Sequence, residues 1–416
     1  MNSQAGGEHV RSMADAVARR SYGKLVAFLA ARTRNVTAAE DALAEAFASA
    51  LSSWPAAGCP ANPEGWLLTV ARRKLIDSAR HERGAEDVTT QLQILAADMQ
   101  TVEGEPEIPD RRLALMFACA HPAIDTSIRA PLMLQLLLGL DAQQIASAFL
   151  MSPAAMGQRL VRAKHKIRLA GVPFSEPTLE ELPERLDAVL DAIYAAFGQG
   201  WTDPGGTDVA RRNLTEEALF LGRLVTELLP QQPESLGLLA LMLHAEARRG
   251  ARRGSRGEYV PLEEQDPSSW DAAMIAEAED LLRRASAFNV IGRFQLEAAL
   301  QSAHVHRRRT GERNWPAVLE LYDALLRISG SPVVAINRVL ALAEVRGAHA
   351  ALEALQAVAG DSRIDAYQPY WAARAELLTR TGDLGAARHA FDMAIGLEAD
   401  ESVRSFLQRR QSLLPL

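Results

Sequence analysis

Cysteine is scarce in these 416 residues. Cys59 and Cys119 stand sixty positions apart, and no paired Cys or His spacing accompanies them. That count suggests neither a disulfide framework nor a zinc site, and a reducing cytoplasm fits it. Cys119 and His121 in "CAHPAI" would supply two ligands, too few for a metal centre, so core packing is the expectation there. Aromatic residues make up only 6% and alternating β-branched runs are missing, while Ala, Leu, Arg and Glu dominate throughout. An all-α fold follows. No apolar run is long enough for a bilayer: "APLMLQLLLGL" (130–140) is about 16 Å as a helix against a hydrocarbon core of roughly 30 Å. It reads as a buried helix. Arg11, Asp15, Arg19, Arg20 and Lys24 interrupt any signal-peptide core, so no membrane partner is expected. A Gly-rich phosphate loop, a nucleophile elbow and a His-Glu zinc helix are all missing, which argues against an enzyme and against a cofactor.

The length accommodates two to four domains. Residues 11–83 read as three or four helices. Thr37 and Glu40 form a candidate capping box, with Leu43, Phe47 and Leu51 at four-residue spacing behind it. Pro55, Gly58, Pro60 and Pro63 make the following turn. Residues 84–110 hold seven acids and no Lys or Arg, a linker by composition. A second block covers 111–172, and a long helical tract runs from about 180 to 416. Within that tract, "ARRGARRGSRGEYVPLEEQDPSSWD" (247–271) reads as a solvated Gly- and Arg-rich loop whose cations could touch phosphate. Near the end, Trp371, Gly382, Ala387, Phe391 and Ala394 fall at tetratricopeptide-repeat spacings, with weaker echoes turning at Gly347 and Gly311. A stack of helical hairpins is expected.

Against a formal net charge of -7, "SPAAMGQRLVRAKHKIR" (152–168) concentrates bases and has no acid. Asp141 with Gln144 caps one short helix, and Ser152 caps a second that begins at Pro153. Met156, Leu160, Ala163 and Ile167 make a narrow apolar stripe flanked by Arg159, Arg162, Lys164, Lys166 and Arg168. A recognition helix has this geometry, and so does an amphipathic helix with a solvated basic face.

Upstream context bears on that choice. "TAAEDALAEAFASALSSW" followed by "PEGWLLTVARRKLIDSAR" closely resembles region two of bacterial RNA polymerase sigma factors of the extracytoplasmic-function (ECF) type, in the sigma-70 family. The basic helix pair resembles their region four. "CAHPAI", "LPERLDAVLDAIYAAF" and "GRFQLEAALQSAH" resemble the subgroup with a C-terminal tetratricopeptide-like extension. The resemblance implies core RNA polymerase (β′ clamp and β flap) and promoter DNA as partners, and a regulatory protein at the extension. It implies polymerase contacts from Asp41 and Glu45. At the −10 element it implies contacts from Trp66, Arg72, Arg73, Lys74 and Arg80, and at −35 from Gln158, Arg159, Arg162, Lys164 and Lys166. Two departures stand out. The "FLMSP" turn lacks the usual Gly, and Gly157 stands where small sigma factors often have Lys. A helix-turn-helix regulator with a helical-repeat sensor is the alternative.

Overall fold

The structure is a computed structural model and describes residues 21–30, 32–33, 35–83, 108, 110–170, 177–201, 209–361 and 364–415. Among these residues every regular element is helical, and the one β feature is an isolated Arg253–Tyr259 bridge. The chain forms two compact units, Met1–Gln199 and Gly200–Leu416.

In the first unit, helix α1 (21–30) is followed by α2 (Val36–Ala57) and α3 (Pro63–Arg83). Asn35, not Thr37, caps α2. Its side chain accepts the Ala38 N–H at 3.0 Å, so the helix starts a residue before the expected box and Glu40 is freed for another partner. The helix also runs through Pro55, and ends where Gly58 adopts φ 84. Leu43 is buried but Leu51 faces outward, so the apolar stripe is shorter than its spacing implied. Leu29, Leu43, Trp54 and Leu67 form the core of this part.

Asp110 caps α4 (Arg111–Cys119), accepting the Arg112 N–H at 2.7 Å. The apolar run becomes α5 (Thr126–Leu138), with Leu132, Met133, Leu134 and Leu136 fully buried. Gly23 fixes how α1 meets α5: a Cβ there would lie 1.9 Å from the Leu137 carbonyl oxygen, so only glycine permits the approach. Next come α6 (Ala142–Ala148), α7 (Pro153–Ala170) and α8 (Leu182–Trp201), which belongs to this unit as far as Gln199. Arg185 on α8 donates to the Phe117 carbonyl at 3.3 Å.

The second unit contains α9 (Val209–Leu228), α10 (Pro233–Glu246), α11 (Ala272–Ser286), α12 (Arg293–Thr310), α13 (Trp315–Ser329), α14 (Pro332–Arg346), α15 (Ala348–Gln356), α16 (Gln368–Thr381), α17 (Leu384–Leu397) and α18 (Glu401–Ser412). Helix α10 is apolar on every side and buried among α9, α11 and α12, as such a helix must be. From α12 onward each helix packs on the next. Gly311 and Gly382 end helices in the left-handed conformation, and Gly347 joins α14 to α15. Ala387, Phe391 and Ala394 are buried together with Ala375.

The 247–271 segment differs from the solvated loop expected. It is folded through short turns at Gly250–Arg252, Leu262–Glu264 and Pro267–Ser269, and its Trp270 is buried. The Asp271 N–H donates to the Ala247 carbonyl at 2.8 Å and closes the segment on itself. Arginine heads that composition assigns to solvent instead cover an indole supplied by Trp201.

Candidate nucleic-acid and polymerase interface

The α6–α7 pair is built locally. Asp141 and Gln144 form the reciprocal capping box, with side-chain to backbone distances of 2.8 and 3.0 Å. The glycine-free turn is managed by Leu150, which takes φ 51, a conformation an L side chain adopts at a cost of roughly 1 kcal/mol. Ser152 Oγ then accepts the Ala155 N–H at 3.3 Å to start α7.

Helical geometry divides the side chains of α7. Met156, Leu160 and Ile167 are buried. Opposite them, Gln158, Val161, Arg162 and His165 are exposed along one face, with Lys166 exposed at its edge on the Arg159 side. Arg159 and Lys164 occupy the two flanks between, and the protein engages both. Arg159 donates to Ser127 Oγ and reaches Met151 Sδ at 3.2 Å. Lys164 Nζ lies 2.7 and 2.6 Å from the two carboxylate oxygens of Glu40 on α2. Gly157 faces α6, since a Cβ there would stand 3.8 Å from the Ala142 Cβ. The side chain of Arg168 lies outside the described residues.

The α2–α3 side carries the other predicted residues. Asp41 and Glu45 are exposed one turn apart on α2, with half-buried Glu40 beside Asp41. Glu45 pairs with Lys74 of α3 at 2.9 Å, an exposed contact worth little by itself. Burial, helped by Glu40 and Asp41, pushes the Tyr22 phenol up, and burial with Glu40 does the same for the Cys119 thiol. Trp66 meets buried Trp54 edge-on at 5.4 Å. Arg72 turns back over the Phe28 ring at 5.4 Å, where Arg32 and Arg111 also stack at 4.1 and 5.2 Å. Arg73 is exposed. The side chain of Arg80 lies outside the described residues. His121 Nδ1 accepts the Ala123 N–H at 3.1 Å.

Beside Arg159 opens a cleft of about 500 Å³, with Arg129 and Met151 on one wall and Glu184, Asp187 and Asp191 of α8 on the other. A carboxylate row thus faces the inner flank of the basic helix.

Sequence reasoning missed Val161 and His165, which share the outward face with Gln158, and Glu40, which holds Lys164. The first two were accessible from the helical repeat, as the positions opposite the apolar stripe. Nothing local marks Glu40, 124 positions from its partner.

A sigma-70 region 2 profile matches residues 17–84. A probable RNA polymerase sigma factor, RfaY, of Xanthomonas campestris pv. campestris is 30% identical over 227 residues. Residues 17–84 thus carry a sigma-70 region 2 domain. That relative is matched over 51% of this chain and 53% of its own length. An uncharacterized protein of Rhizobium meliloti is 36% identical over 384 residues, covering 90% of this chain and 89% of its own length. Residues 185–286 match a family of unknown function (DUF6596). No solved structure matches. Among the described residues no helix is long and apolar enough to cross a membrane.

Proposed function

We propose that the chain is a cytoplasmic sigma factor of the ECF type that binds core RNA polymerase and directs promoter-specific initiation. In this reading residues 11–83 form region two, 84–110 an acidic linker, 111–172 region four with its helix-turn-helix, and 180–416 a tetratricopeptide-like extension. Asp41 and Glu45 dock on the β′ clamp, and region four meets the β flap. Trp66, Arg72, Arg73, Lys74 and Arg80 serve the −10 element. The extension takes up a regulatory protein on the concave surface that stacked hairpins provide.

The observation that carries this reading is the outward face of α7, where a glutamine, an aliphatic residue, an arginine and a histidine project from the side opposite the core. A major groove is read by such a set: Gln158 suits an adenine edge, Arg162 a guanine, and Val161 a thymine methyl, while Lys166 suits phosphate. Arg159 and Lys164 reach phosphate only after leaving Ser127 and Glu40.

The test is transcription by core RNA polymerase with and without the chain on a library of genomic promoters. A discrete set of start sites that depends on the chain is expected. Arg162→Ala should lose discrimination at one −35 base by about 1–3 kcal/mol. Lys166→Ala should weaken all promoters evenly. No specific transcript with core enzyme, together with a duplex footprint by the chain alone, would overturn the reading in favour of a conventional regulator.

A further inference from the structure

The Arg-rich segment of the second unit is not used by any step above, yet it is the most heavily charged feature of that unit's interior. Arg252, Arg249 and Arg248 place their guanidinium carbons 4.3, 5.5 and 5.9 Å from the centre of the Trp201 ring. Two neighbouring arginines are neutralised: Arg249 pairs with Glu246 at 2.8 Å, and Arg253 pairs with Asp400. Arg248 and Arg252 are not. Arg248 donates to the Gln301 side-chain oxygen at 2.6 Å, and Arg252 to the Trp201 carbonyl at 2.9 Å. Both acceptors are neutral.

The surroundings add positive charge. Arg307 Nη1 and Nη2 are buried with no hydrogen-bond acceptor, and the nearest carboxylate to that head, Glu263, stands 3.6 Å away. Arg308 donates to the Gln265 carbonyl at 2.7 Å, but its Nε is buried without an acceptor. His244, fully buried and held neutral, adds no charge, and its Nε2 lies 3.5 Å from the Glu279 carboxylate. Burial, opposed by Tyr259 and reinforced by neighbouring arginines, lowers Arg252 to about 10. Burial, opposed by Tyr259 and by the Glu263 carboxylate, lowers Arg248 as well. Two partly desolvated cations held side by side repel each other, and an arrangement of this kind is stable when an anion completes it.

We propose that Arg248 and Arg252, braced on Trp201, form a binding site for a phosphate group, either inorganic phosphate or the phosphate of a small metabolite. Charge count favours phosphate over a carboxylate. A phosphate ester carries about −1.5 to −2 at neutral pH and neutralises both cations, whereas a monocarboxylate neutralises one. Planar guanidinium groups also present paired N–H donors that match tetrahedral oxyanion edges. Tyr259, whose phenol burial keeps protonated, lies within electrostatic reach of both arginines and can add a donor. The site is independent of the transcription reading and stands or falls separately from it.

The experiment is calorimetric titration of the full chain with inorganic phosphate and pyrophosphate at constant ionic strength, with acetate as the monoanion control. A melting curve with each anion accompanies it. One phosphate per chain is expected, with acetate silent. Arg248→Gln and Arg252→Gln should each weaken binding by about tenfold or more, and exposed Arg256→Gln should leave it unchanged. Arg252→Lys keeps the charge without the planar fork, guards against misfolding of the Gln variant, and should also bind more weakly. Glucose 6-phosphate binding more tightly than inorganic phosphate would assign the metabolite form, and the reverse order the free ion. No heat and no melting shift with either phosphate probe overturns the proposal, as does equal affinity of wild type, Arg252→Gln and Arg252→Lys.

Discussion

Replacing Glu40 by Gln removes one charge from the contact that holds Lys164 to α2. The two side chains retain 16% and 20% of their exposure, so the pair sits between an exposed bridge and a buried one. Exposed bridges contribute about 0–1 kcal/mol, and breaking a buried one costs about 3–5 kcal/mol. An intermediate cost of about 1–2 kcal/mol is expected for the packing of α2 against α7. The more telling readout is DNA binding by the full chain, followed by fluorescence anisotropy across a range of salt. A freed Lys164 adds one phosphate contact, which raises affinity and steepens the log–log salt slope by about 0.9. Lys164→Ala should therefore change little in the native background and cancel the gain in the Glu40→Gln background. If Lys164→Ala weakens binding equally in both backgrounds, Lys164 is already available to DNA and the reasoning from the ion pair is wrong. An unchanged salt slope in Glu40→Gln would refute it as well.

Three further outcomes are expected. Gly23→Ala must push α1 away from the Leu137 carbonyl and should destabilise the first unit by on the order of 2 kcal/mol or more, read as a lower melting transition; a neutral effect would mean that the two helices do not meet backbone to backbone. Asp141→Ala deletes the side-chain half of the capping box and should cost about 1 kcal/mol, visible as faster amide exchange at the start of α6; unaltered protection there would contradict the capping assignment. Burial, followed by nearby arginines, lowers His244 to about 4 and His304 to about 3. Between those values and about 6.5 the unfolded chain binds protons that the folded one refuses, so the second unit should lose stability as pH falls through that window, by on the order of 3 kcal/mol for His244. A melting temperature that holds or rises from about pH 7 to about pH 5 would exclude this.

Local signals made much of the first unit legible in the sequence. Asp141 with Gln144, Ser152 before Pro153, and the Met156–Leu160–Ile167 stripe each depend on residues within about three turns of one another, and each is present in the structure. Gly311, Gly347 and Gly382 marked helix ends because a left-handed or otherwise positive φ is a local demand. Long-range relations were hidden. Asn35 and Thr37 are both competent caps, and only packing decides between them. The Arg-rich segment has the composition of a solvated loop, and the indole that gathers it lies some fifty positions earlier. Arg159 and Lys164 looked equivalent to Arg162, but tertiary partners occupy the first two and leave the third exposed.

The Phe28 ring has a further bearing on how the two halves of the first unit separate and rejoin. Arg72 of α3 and Arg111 of α4 stack on that one ring, on either side in sequence of the acidic 84–110 segment. The helices on either side of this segment are therefore tied together at Phe28 by contacts that do not involve Glu40 or Lys164. When the ion pair breaks, the Phe28 contacts keep its partners in each other's vicinity, so their effective concentration stays high. Reclosure is then a unimolecular event that dilution cannot suppress. A competitor for Lys164 or for the acidic face of α2 must outbid a neighbour that never diffuses away.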